Sequence, residues 1–399
     1  MAYKKNLLKS ALAQAFEIPV KVTYWSGESE VYGGENPEIH LKLNVRIDIN
    51  NVTKAPTLFF AEAYMNEEIE IEGSIQALVA SAYRKKYSIL TNQLGFRDAV
   101  LRALARAHDR KGSRKDIQKH YDIGNDFYKQ WLDPTMTYSC AYFEREDMTL
   151  EEAQLAKIRN ILTKLNCVPG KTLLDIGCGW GTLCIMAARD YGLNVTGITL
   201  SNEQHSYVNS RIKELGLEDR AKVLLLDYRD VRGEFDYVVS VGMFEHVGKR
   251  NLNIYFKKVH DYLTSEGRAL IHGITGQART TLGVDPFIAK YIFPGGYIPD
   301  LAEIISHIKD MRFQVDDIEP RRRHYQKTLE IWRANYMKVF DKTVEDMGKP
   351  FARMWDLYLQ SCAASFEAGN IDVMQFLLTK GPSGQGLPMT RKYMYEDIN

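Results

Sequence analysis

The sequence predicts an α/β protein with a doubly wound, parallel sheet, preceded by a small α+β domain. Two observations predict the sheet. A short apolar stretch, Leu173–Ile176, runs into alternating glycines and then into good helix formers up to Asp190. Beyond it, strand-like and helix-like segments alternate as far as His272, which is typical of parallel βαβ units. We expect helical insertions around this sheet.

The elements of the sheet domain follow from the spacing of apolar residues. Strands are expected at 194–200, 222–226, 235–241, 268–272, 313–318 and 371–378, and helices at 151–165, 202–215, 252–263 and 301–311. Residues 275–300 have no regular period, and a long irregular stretch after a strand predicts a lid or a substrate wall. Its aromatic and aliphatic content favours an apolar ligand.

Residues 1–110 are predicted to form the separate α+β domain. Leu7–Phe16 has the pattern of a helix, and Val20–Tyr24 and His40–Val45 alternate as half-buried strands do. Because these residues contain no catalytic grouping, we expect the domain to dock lipid or to regulate, and it is a candidate for homodimer formation. A basic linker at 111–130 would join it to a catalytic domain at 131–399.

Basic residues are concentrated between Asp98 and Lys119 and again at Arg321–Arg323. Such runs are most often solvated faces. They can also attract lipid phosphates, each basic residue contributing about 1 kcal/mol near a membrane. Both interpretations stay open, and the second predicts binding to a membrane surface.

Composition argues against several classes of function. The chain has 399 residues, and 52 lysines and arginines balance 51 aspartates and glutamates, which does not favour nucleic acid as a partner. Five cysteines without C-x-x-C spacing favour a reducing cytoplasm over a disulfide framework. We find no signal-peptide pattern, no apolar run near the roughly 18 residues that span a bilayer, and no metal-ligand spacing.

The segment Asp175–Gly181 is the strongest single motif. Without Cβ atoms, Gly177, Gly179 and Gly181 let the backbone turn sharply and approach a ligand, while the following helix points its N-terminus at the same place. The spacing differs from the G-x-G-x-x-G of dinucleotide sites. An acidic residue two positions before G-x-G-x-G resembles the S-adenosylmethionine motif of class I methyltransferases. A tight turn in an unrelated α/β protein is the alternative.

Polar residues follow successive strands of the predicted sheet. They are Thr199, Ser201 and Gln204 after the second strand, Asp227, Tyr228 and Arg229 after the third, Glu245 and His246 after the fourth, and His272 with Ile274 after the fifth. Ligands on such sheets bind outside the carboxyl ends of the strands, so we expect a site here. Taken singly, His272 is equally a core histidine, Glu245 a helix-terminal acid and Cys140 a small buried residue.

Five motifs occur in order along the chain: Tyr138–Tyr142, Leu174–Gly181, Val241–Gly248, Tyr291–Pro294 and His324–Leu329. Together they resemble the cyclopropane-fatty-acyl-phospholipid synthases, relatives of the mycolic acid cyclopropane synthases. The resemblance covers the chain from about residue 119 to the last strand, and the N-terminal residues also look like those of the bacterial phospholipid enzymes. It implies a class I methyltransferase fold, which is Rossmann-like.

The resemblance implies transfer of the methyl group of S-adenosylmethionine to a cis double bond in an unsaturated acyl chain of a membrane phospholipid. Loss of a proton from the added methyl group then closes a cyclopropane ring. The implied base is a bicarbonate ion surrounded by Cys140, Glu245, His272, Ile274 and Tyr325. The implied cofactor contacts are Tyr138, Ser139, Asp175, Gly177, Gly179, Thr199, Gln204, Tyr228 and Arg229. One departure is Gly273, where family members often carry threonine.

Two other functions stay open on the sequence. A methyltransferase on the same scaffold could act on a small amine, or on a lipid without ring closure. A non-catalytic lipid carrier could retain a nucleoside-binding fold. The leading expectation is a cytoplasmic enzyme that acts transiently at the inner face of the membrane.

Overall fold

The computed structural model describes residues 2–47, 55–84, 123–277, 284–381 and 386–395. The chain forms two compact units. The first unit comprises Met1–Ala105, Gln277–Pro294 and Leu329–Ile371, and the second comprises Arg106–Gly276, Gly295–Thr328 and Asp372–Asn399. The predicted basic segment, Asp98–Lys119, and most of the predicted linker lie outside the described residues.

The described elements are numbered in chain order. The helices are α1 (Ala2–Ala13), α2 (Pro56–Met65), α3 (Ile75–Arg84), α4 (Asn125–Lys129), α5 (Leu150–Lys164), α6 (Thr182–Arg189), α7 (Asn202–Glu214), α8 (Leu252–Asp261), α9 (Pro286–Tyr291), α10 (Leu301–Asp310), α11 (Arg322–Met337), α12 (Phe340–Met347) and α13 (Lys349–Glu367). The strands are β1 (Val20–Thr23), β2 (Ser29–Tyr32), β3 (Ile39–Leu43), β4 (Ile69–Glu72), β5 (Thr172–Ile176), β6 (Asn194–Thr199), β7 (Ala221–Leu225), β8 (Phe235–Val241), β9 (Leu263–Gly276), β10 (Phe313–Pro320) and β11 (Ile371–Lys380).

The first unit contains a four-stranded sheet in the order β2-β1-β3-β4. β1 pairs antiparallel with β2 and parallel with β3, and β3 pairs antiparallel with β4. Successive strand residues point to opposite faces, so Val20, Val22, Leu41 and Leu43 all enter the core. This is the α+β material expected at the N-terminus.

Later helices also belong to the first unit. Arg353 on α13 donates to the Tyr64 carbonyl at 2.6 Å and to the Ile69 carbonyl at 3.1 Å, and it pairs with Glu70 at 3.1 Å. The sequence had assigned α12 and α13 to the predicted catalytic domain, 131–399. α13 packs against α2 and α3, and α12 packs against α13.

The second unit is built on a seven-stranded sheet in the order β10-β11-β9-β8-β5-β6-β7. The strands from β9 to β7 are parallel, while β10 and β11 pair antiparallel. The chain enters at β5, runs outward to β7, and then returns to the other side at β8. This confirms the doubly wound, Rossmann-like sheet. From β5 the chain continues to β6 on one side, whereas β8 lies on the other side of β5. Such sheets bind ligands at this topological switch point.

Helices cover both faces of this sheet. Leu173 and Val195 face a core that includes residues of α5, α6 and α7, and Leu174 and Val238 face one that includes residues of α8 and α10. The helix α5 begins at a capping box, in which Glu152 N–H donates to Thr149 Oγ1 at 3.3 Å and Thr149 N–H donates to the Glu152 carboxylate at 2.7 Å.

The element boundaries agree with the sequence predictions in most of the second unit. β8 has the predicted bounds, and β6 and α7 end one residue early. β9 starts at Leu263, five residues before the predicted strand. The elements without a prediction include β2 and the short helix α9, which lies inside the stretch predicted to be irregular.

Candidate active site

The glycine turn lies at the carboxyl end of β5. Gly177, Gly179 and Gly181 have φ values of 82°, 55° and 81°, in the left-handed region that favours glycine. The N–H groups of Gly177 and Cys178 both donate to the Ile198 carbonyl on β6 at 3.0 Å, which ties the turn to the neighbouring strand. A Cβ on Gly179 would meet open space. The turn therefore leaves room for a ligand.

A pocket lies beside this turn, within the second unit. Its walls come from the ends of β5, β6 and β8, from the segment after β7, and from the segment that precedes α5. The predicted cofactor residues among its lining are Tyr138, Ser139, Asp175, Gly177, Gly179, Thr199, Gln204 and Tyr228. The fold thus brings together residues that are about ninety positions apart at the extremes.

Asp175 is buried at the end of β5. Burial raises the pKa of its carboxyl to about 7, although the Cys184 thiol, which donates at 3.3 Å, and the charge of Lys157 act in the opposite direction. A carboxylate in this position is readily stabilised by a cationic group of a ligand in the pocket.

Thr199 and Gln204 are fixed to each other at the end of β6. Thr199 Oγ1 donates to Gln204 Oε1 at 2.8 Å and accepts from the Ser201 N–H at 3.1 Å. Ser201 in turn caps α7 by accepting from the Gln204 N–H at 3.3 Å. Because these bonds hold both side chains, their polar groups are pre-positioned in the pocket wall.

Tyr228 and Arg229 have different positions. Tyr228 lines the pocket, its hydroxyl is buried without a hydrogen-bond partner among the described residues, and burial raises its pKa to about 12. Arg229 does not line the pocket, since its guanidinium makes two bonds to Asp227, at 2.8 and 2.6 Å. The prediction that both residues contact a nucleobase therefore has geometric support only for Tyr228.

Aromatic side chains support the pocket wall before α5. The ring of Tyr138 lies 5.4 Å from that of Tyr128, which in turn lies 5.1 Å from the Trp180 ring of the glycine turn. Trp180 Nε1 donates to Asn125 Oδ1 at 2.8 Å. These contacts hold Tyr138 in the pocket wall beside the glycine turn.

Glu245 and Ile274 are brought together by β8 and β9. The Ile274 N–H donates to Glu245 Oε1 at 2.6 Å, while Glu245 Oε2 is buried without a partner in the described part of the chain. Burial raises the pKa of Glu245 to about 7, and the bond from Ile274 opposes this shift. The carboxyl group is therefore partly protonated near neutral pH.

His272 lies opposite Val241 in the pairing of β9 with β8. Both of its ring nitrogens are buried, and neither has a hydrogen-bond partner among the residues described. Burial holds the pKa of His272 well below its usual range, and the charges of Arg321 and Lys157 act in the same direction. A neutral imidazole has one donor and one acceptor. Like Glu245 Oε2, it has unused hydrogen-bonding groups, which buried sites seldom leave without a ligand or water.

The Cys140 thiol and the Tyr325 backbone N–H both donate to the Arg321 carbonyl. The Cys140 thiol donates to the Ala141 carbonyl at 3.3 Å and to the Arg321 carbonyl at 3.8 Å, and the Tyr325 N–H donates to the same Arg321 carbonyl at 3.1 Å. Burial raises the pKa of Cys140 to about 12. The thiol is therefore protonated at neutral pH, which fits a role for the Cys140 backbone better than a thiolate nucleophile.

Gly273 lies directly against Phe244. A Cβ on Gly273 would come within 2.3 Å of Phe244 Cε1, and Phe244 is fully buried. Glycine here departs from the threonine that the family resemblance implies at this position. The close approach of this ring to β9 explains why glycine is required at this position.

Arg321 is buried, so within the run Arg321–Arg323 it is not available for the predicted contacts with a membrane. Its side chain is fully buried, donates to Asn160 Oδ1 at 2.5 Å and to Glu319 Oε2 at 2.9 Å, and lies 4.0 Å over the Tyr142 ring. Its N–H donates to β11, which turns the side chain inward before α11 begins. In this run of arginines, Arg323 is the exposed one.

Part of the pocket was not predicted from the sequence. The lining residues that were not predicted as site residues include Met136, Thr137, Lys157, Ile158, Leu200, Leu226, Gly242 and Met243. Among them, Lys157 has an ionisable side chain. The sequence had predicted only that it lies on an amphipathic helix. Among the described residues, no group of three or more His, Cys, Asp or Glu side chains could hold a metal ion. None of the helices described is long and apolar enough to cross a membrane.

Comparison with known proteins places the chain in a family. A model of the mycolic acid cyclopropane synthetase family matches residues 108–376, and a model of a domain of unknown function matches residues 7–94. A probable fatty acid methyltransferase of Pseudomonas putida is 36% identical over 391 residues, covering 96% of this chain and 98% of its own length.

Two further proteins are similar to this chain over most of their own length. The cyclopropane-fatty-acyl-phospholipid synthase of Escherichia coli strain K12 is 39% identical over 297 residues, covering 73% of this chain and 76% of its own. The crystal structure of mycolic acid cyclopropane synthase CmaA1, complexed with SAH and CTAB, has 37% sequence identity and a TM-score of 0.64, covering 67% of this chain and 98% of that chain. The family model spans more than half of the chain. The protein therefore belongs to the mycolic acid cyclopropane synthetase family.

Proposed function

We propose that this protein transfers a methylene group from S-adenosylmethionine to the cis double bond of an unsaturated acyl chain in a membrane phospholipid. The observation that carries the proposal is the burial of Glu245 and His272, whose unused polar atoms lie in the turn after β8 and, on β9, opposite the end of β8. Val241, Gly242 and Met243, at the same end of β8, line the pocket beside the glycine turn. A methyl donor and a polar reaction site would thus share one edge of the sheet.

The pocket is the proposed binding site for S-adenosylmethionine. A nucleoside without a pyrophosphate suits the glycine turn, Tyr228 offers an aromatic face to the adenine, and Ser139, Thr199 and Gln204 offer polar groups. The SAH complex of CmaA1 supports this assignment, because that protein shares 37% of its aligned sequence with the chain.

The residues around Glu245 and His272 fit a bound bicarbonate ion. Glu245, protonated in part near neutral pH, and neutral His272 both have unused groups that can donate to or accept from a small planar oxyanion. The ion would lie among Cys140, Glu245, His272, Ile274 and Tyr325, and when bound it would supply the base for the proton lost on ring closure. A carboxyl group beside an anion favours its protonated form, so Glu245 would share a proton there.

The protein's own contribution is positioning and exclusion of water. An alkene is a weak nucleophile, so it must be held in line with the methyl group, and a dry site keeps the developing positive charge from reacting with water. Burial of Glu245 and His272 provides a dry polar site, where electrostatic stabilisation is stronger than in water.

The proposed location is the inner face of the cytoplasmic membrane, where the substrate chains lie. Exposed Arg323 and the basic residues of Asp98–Lys119 are candidates for contacts with lipid phosphates. Homodimer formation through the N-terminal domain stays a prediction.

The Glu245→Gln variant tests this assignment. We expect it to lower cyclopropane formation on vesicles of a monounsaturated phospholipid by about 100-fold or more, because the glutamine cannot share a proton. Its affinity for S-adenosylmethionine should stay unchanged. Activity of the unmodified enzyme should fall in carbonate-depleted buffer and return when bicarbonate is added. Glu266→Gln, an exposed acid at the start of β9, is the matched control and should be neutral.

A second candidate has one observation in its favour. The Pseudomonas putida relative, which covers 96% of the chain, carries the name of a probable fatty acid methyltransferase. Methylation without ring closure would use the same pocket. It predicts a product rate that is indifferent to both Glu245→Gln and bicarbonate.

A further inference from the structure

Lys157 is a buried cation to which the proposed reaction gives no role. It lies on α5, is 2% exposed, and lines the pocket together with Ser139 and Asp175. Its Nζ donates to Ser139 Oγ at 2.7 Å. No carboxylate of the described residues lies within salt-bridge distance of this ammonium group.

Lys164 on the same helix provides the comparison. Seven residues are about two helical turns, so the two lysines lie on the same face. Lys164 is fully buried, but its Nζ is 2.7 Å from Asp317 Oδ2 and also contacts Glu319 Oε2. The protein supplies carboxylates to one buried ammonium and a single hydroxyl to the other. Because an unpaired buried charge is costly, the position of Lys157 favours an anion from outside the chain.

The charges in the pocket indicate which anion. A cation, Lys157, and an acid, Asp175, line the same pocket as the glycine turn. The methionine end of S-adenosylmethionine is an amino acid with both a carboxylate and an ammonium group. Ser139 Oγ accepts from Lys157, so its own hydrogen is available to donate to an oxyanion.

We propose that Lys157, together with the Ser139 hydroxyl, binds the carboxylate of the amino acid end of the cofactor. Burial lowers the pKa of Lys157 to about 7, with Arg321 acting in the same direction and Cys140, Asp133 and Asp175 against it. A carboxylate at hydrogen-bond distance would stabilise the charged amine and add a charge-assisted bond. The inference rests on the cofactor site of the proposed function and is independent of ring closure.

Calorimetric titration with two ligands tests this role without any lipid. S-adenosylhomocysteine has the amino acid end, and 5′-methylthioadenosine lacks it. We expect Lys157→Met to weaken binding of S-adenosylhomocysteine by about 10- to 100-fold, the range of a lost charge-assisted hydrogen bond. Binding of 5′-methylthioadenosine should change less than about threefold. Arg159→Met removes an exposed charge from the same helix and should change neither affinity.

A purely structural role for Lys157 gives a different pattern. If it only supports the pocket wall, Lys157→Met weakens both ligands in the same proportion, and that result overturns the proposal. Thermal unfolding establishes whether the variant is folded. A comparison on the unmodified protein needs no variant: S-adenosylhomocysteine should bind at least about tenfold more tightly than its decarboxylated analogue. Equal affinities overturn the role of Lys157 alone, whereas no binding of either overturns the cofactor assignment as well.

Discussion

Burial sets the protonation state of single residues around the proposed reaction site. It raises the pKa of Glu245 to about 7 and that of Cys140 to about 12, and it holds the pKa of His272 well below its usual range. Cys140 and His272 are thus uncharged at neutral pH, and Glu245 is partly protonated there. A single anion can then bind among them without meeting a full negative charge.

Two glycines of the turn give opposite predictions. Gly181→Ala should destabilise the protein by about 2 kcal/mol or more, because the added Cβ lies 2.3 Å from Val208 Cγ1 and the backbone is left-handed. Gly179→Ala adds its methyl group to open space in the pocket. It should cost about 1 kcal/mol of stability but lower cofactor affinity by about tenfold or more.

Urea unfolding and calorimetric titration separate the two variants. The unmodified protein is the reference for both measurements. Equal losses of affinity and stability in both variants would show that the turn acts as one structural unit, against this account.

At the residue scale, the sequence was most informative where a motif was continuous. The turn from Asp175 to Gly181 was placed correctly because a strand, a glycine turn and a helix each have a local signal. Lys157 and Arg321 were missed or misplaced, since a lysine on an amphipathic helix and an arginine in a basic run are usually exposed. Lys157 is buried against Ser139, which is distant in sequence. Arg321 bonds with Glu319, a residue on a paired strand.

At the scale of elements, α5 is held to the sheet by buried polar contacts as well as apolar ones. Lys164 bonds with Asp317 and Glu319 on β10, and Asn160 accepts from Arg321. Burial raises the pKa of Glu319, but Arg321 and Lys164 outweigh it and leave the pKa below its usual range. This carboxylate therefore stabilises the fold above its unfolded pKa, and the contribution is lost as the pH falls through the folded value.

Lys164→Met should accordingly lower the free energy of unfolding by about 3 kcal/mol or more at neutral pH, because it leaves buried carboxylates short of a partner. The loss should shrink in acid, where Glu319 becomes protonated. Urea unfolding at neutral pH and near pH 4 measures both effects. If the loss in free energy of unfolding stays constant with pH, it arises from packing and not from the buried charges.

The contact between β9 and the turn after β8 gives another prediction. Gly273→Thr should destabilise the protein by about 1–3 kcal/mol, because Phe244 already occupies the space. Phe244→Leu should partly rescue it by shortening that side chain. The double-mutant cycle in urea should therefore give a stabilising coupling. Additive losses would mean that the ring does not restrict Gly273.

Elements with strong periodicity were predicted, and those made by context were not. β8 lies between β5 and β9, and its aromatic and β-branched residues are typical of a strand. The edge strand β2 alternates between exposed and half-buried residues, so it has little apolar signal. The six-residue helix α9 depends on the Asp285 cap and Pro286, which fix a single turn within an irregular sequence.

At the scale of the molecule, the proposed chemistry belongs to one of the two compact units. Cys140, Glu245, His272, Ile274 and Tyr325 all lie in the second unit. The first unit takes in the whole N-terminal match to a domain of unknown function and later helices of the chain. Its proposed lipid-docking or regulatory role is separable from the reaction, because its described residues line no part of the cofactor pocket.

The central claim is ring closure, and isotope retention tests it most directly. The protein is incubated with S-adenosylmethionine that carries three deuterium atoms on its methyl group and with vesicles of a monounsaturated phospholipid. The acyl products are then analysed by mass spectrometry. Because a cyclopropane forms only when the added methyl group loses a hydrogen, this account predicts products that retain two deuterium atoms. Products that retain all three would show methylation without ring closure and would contradict it.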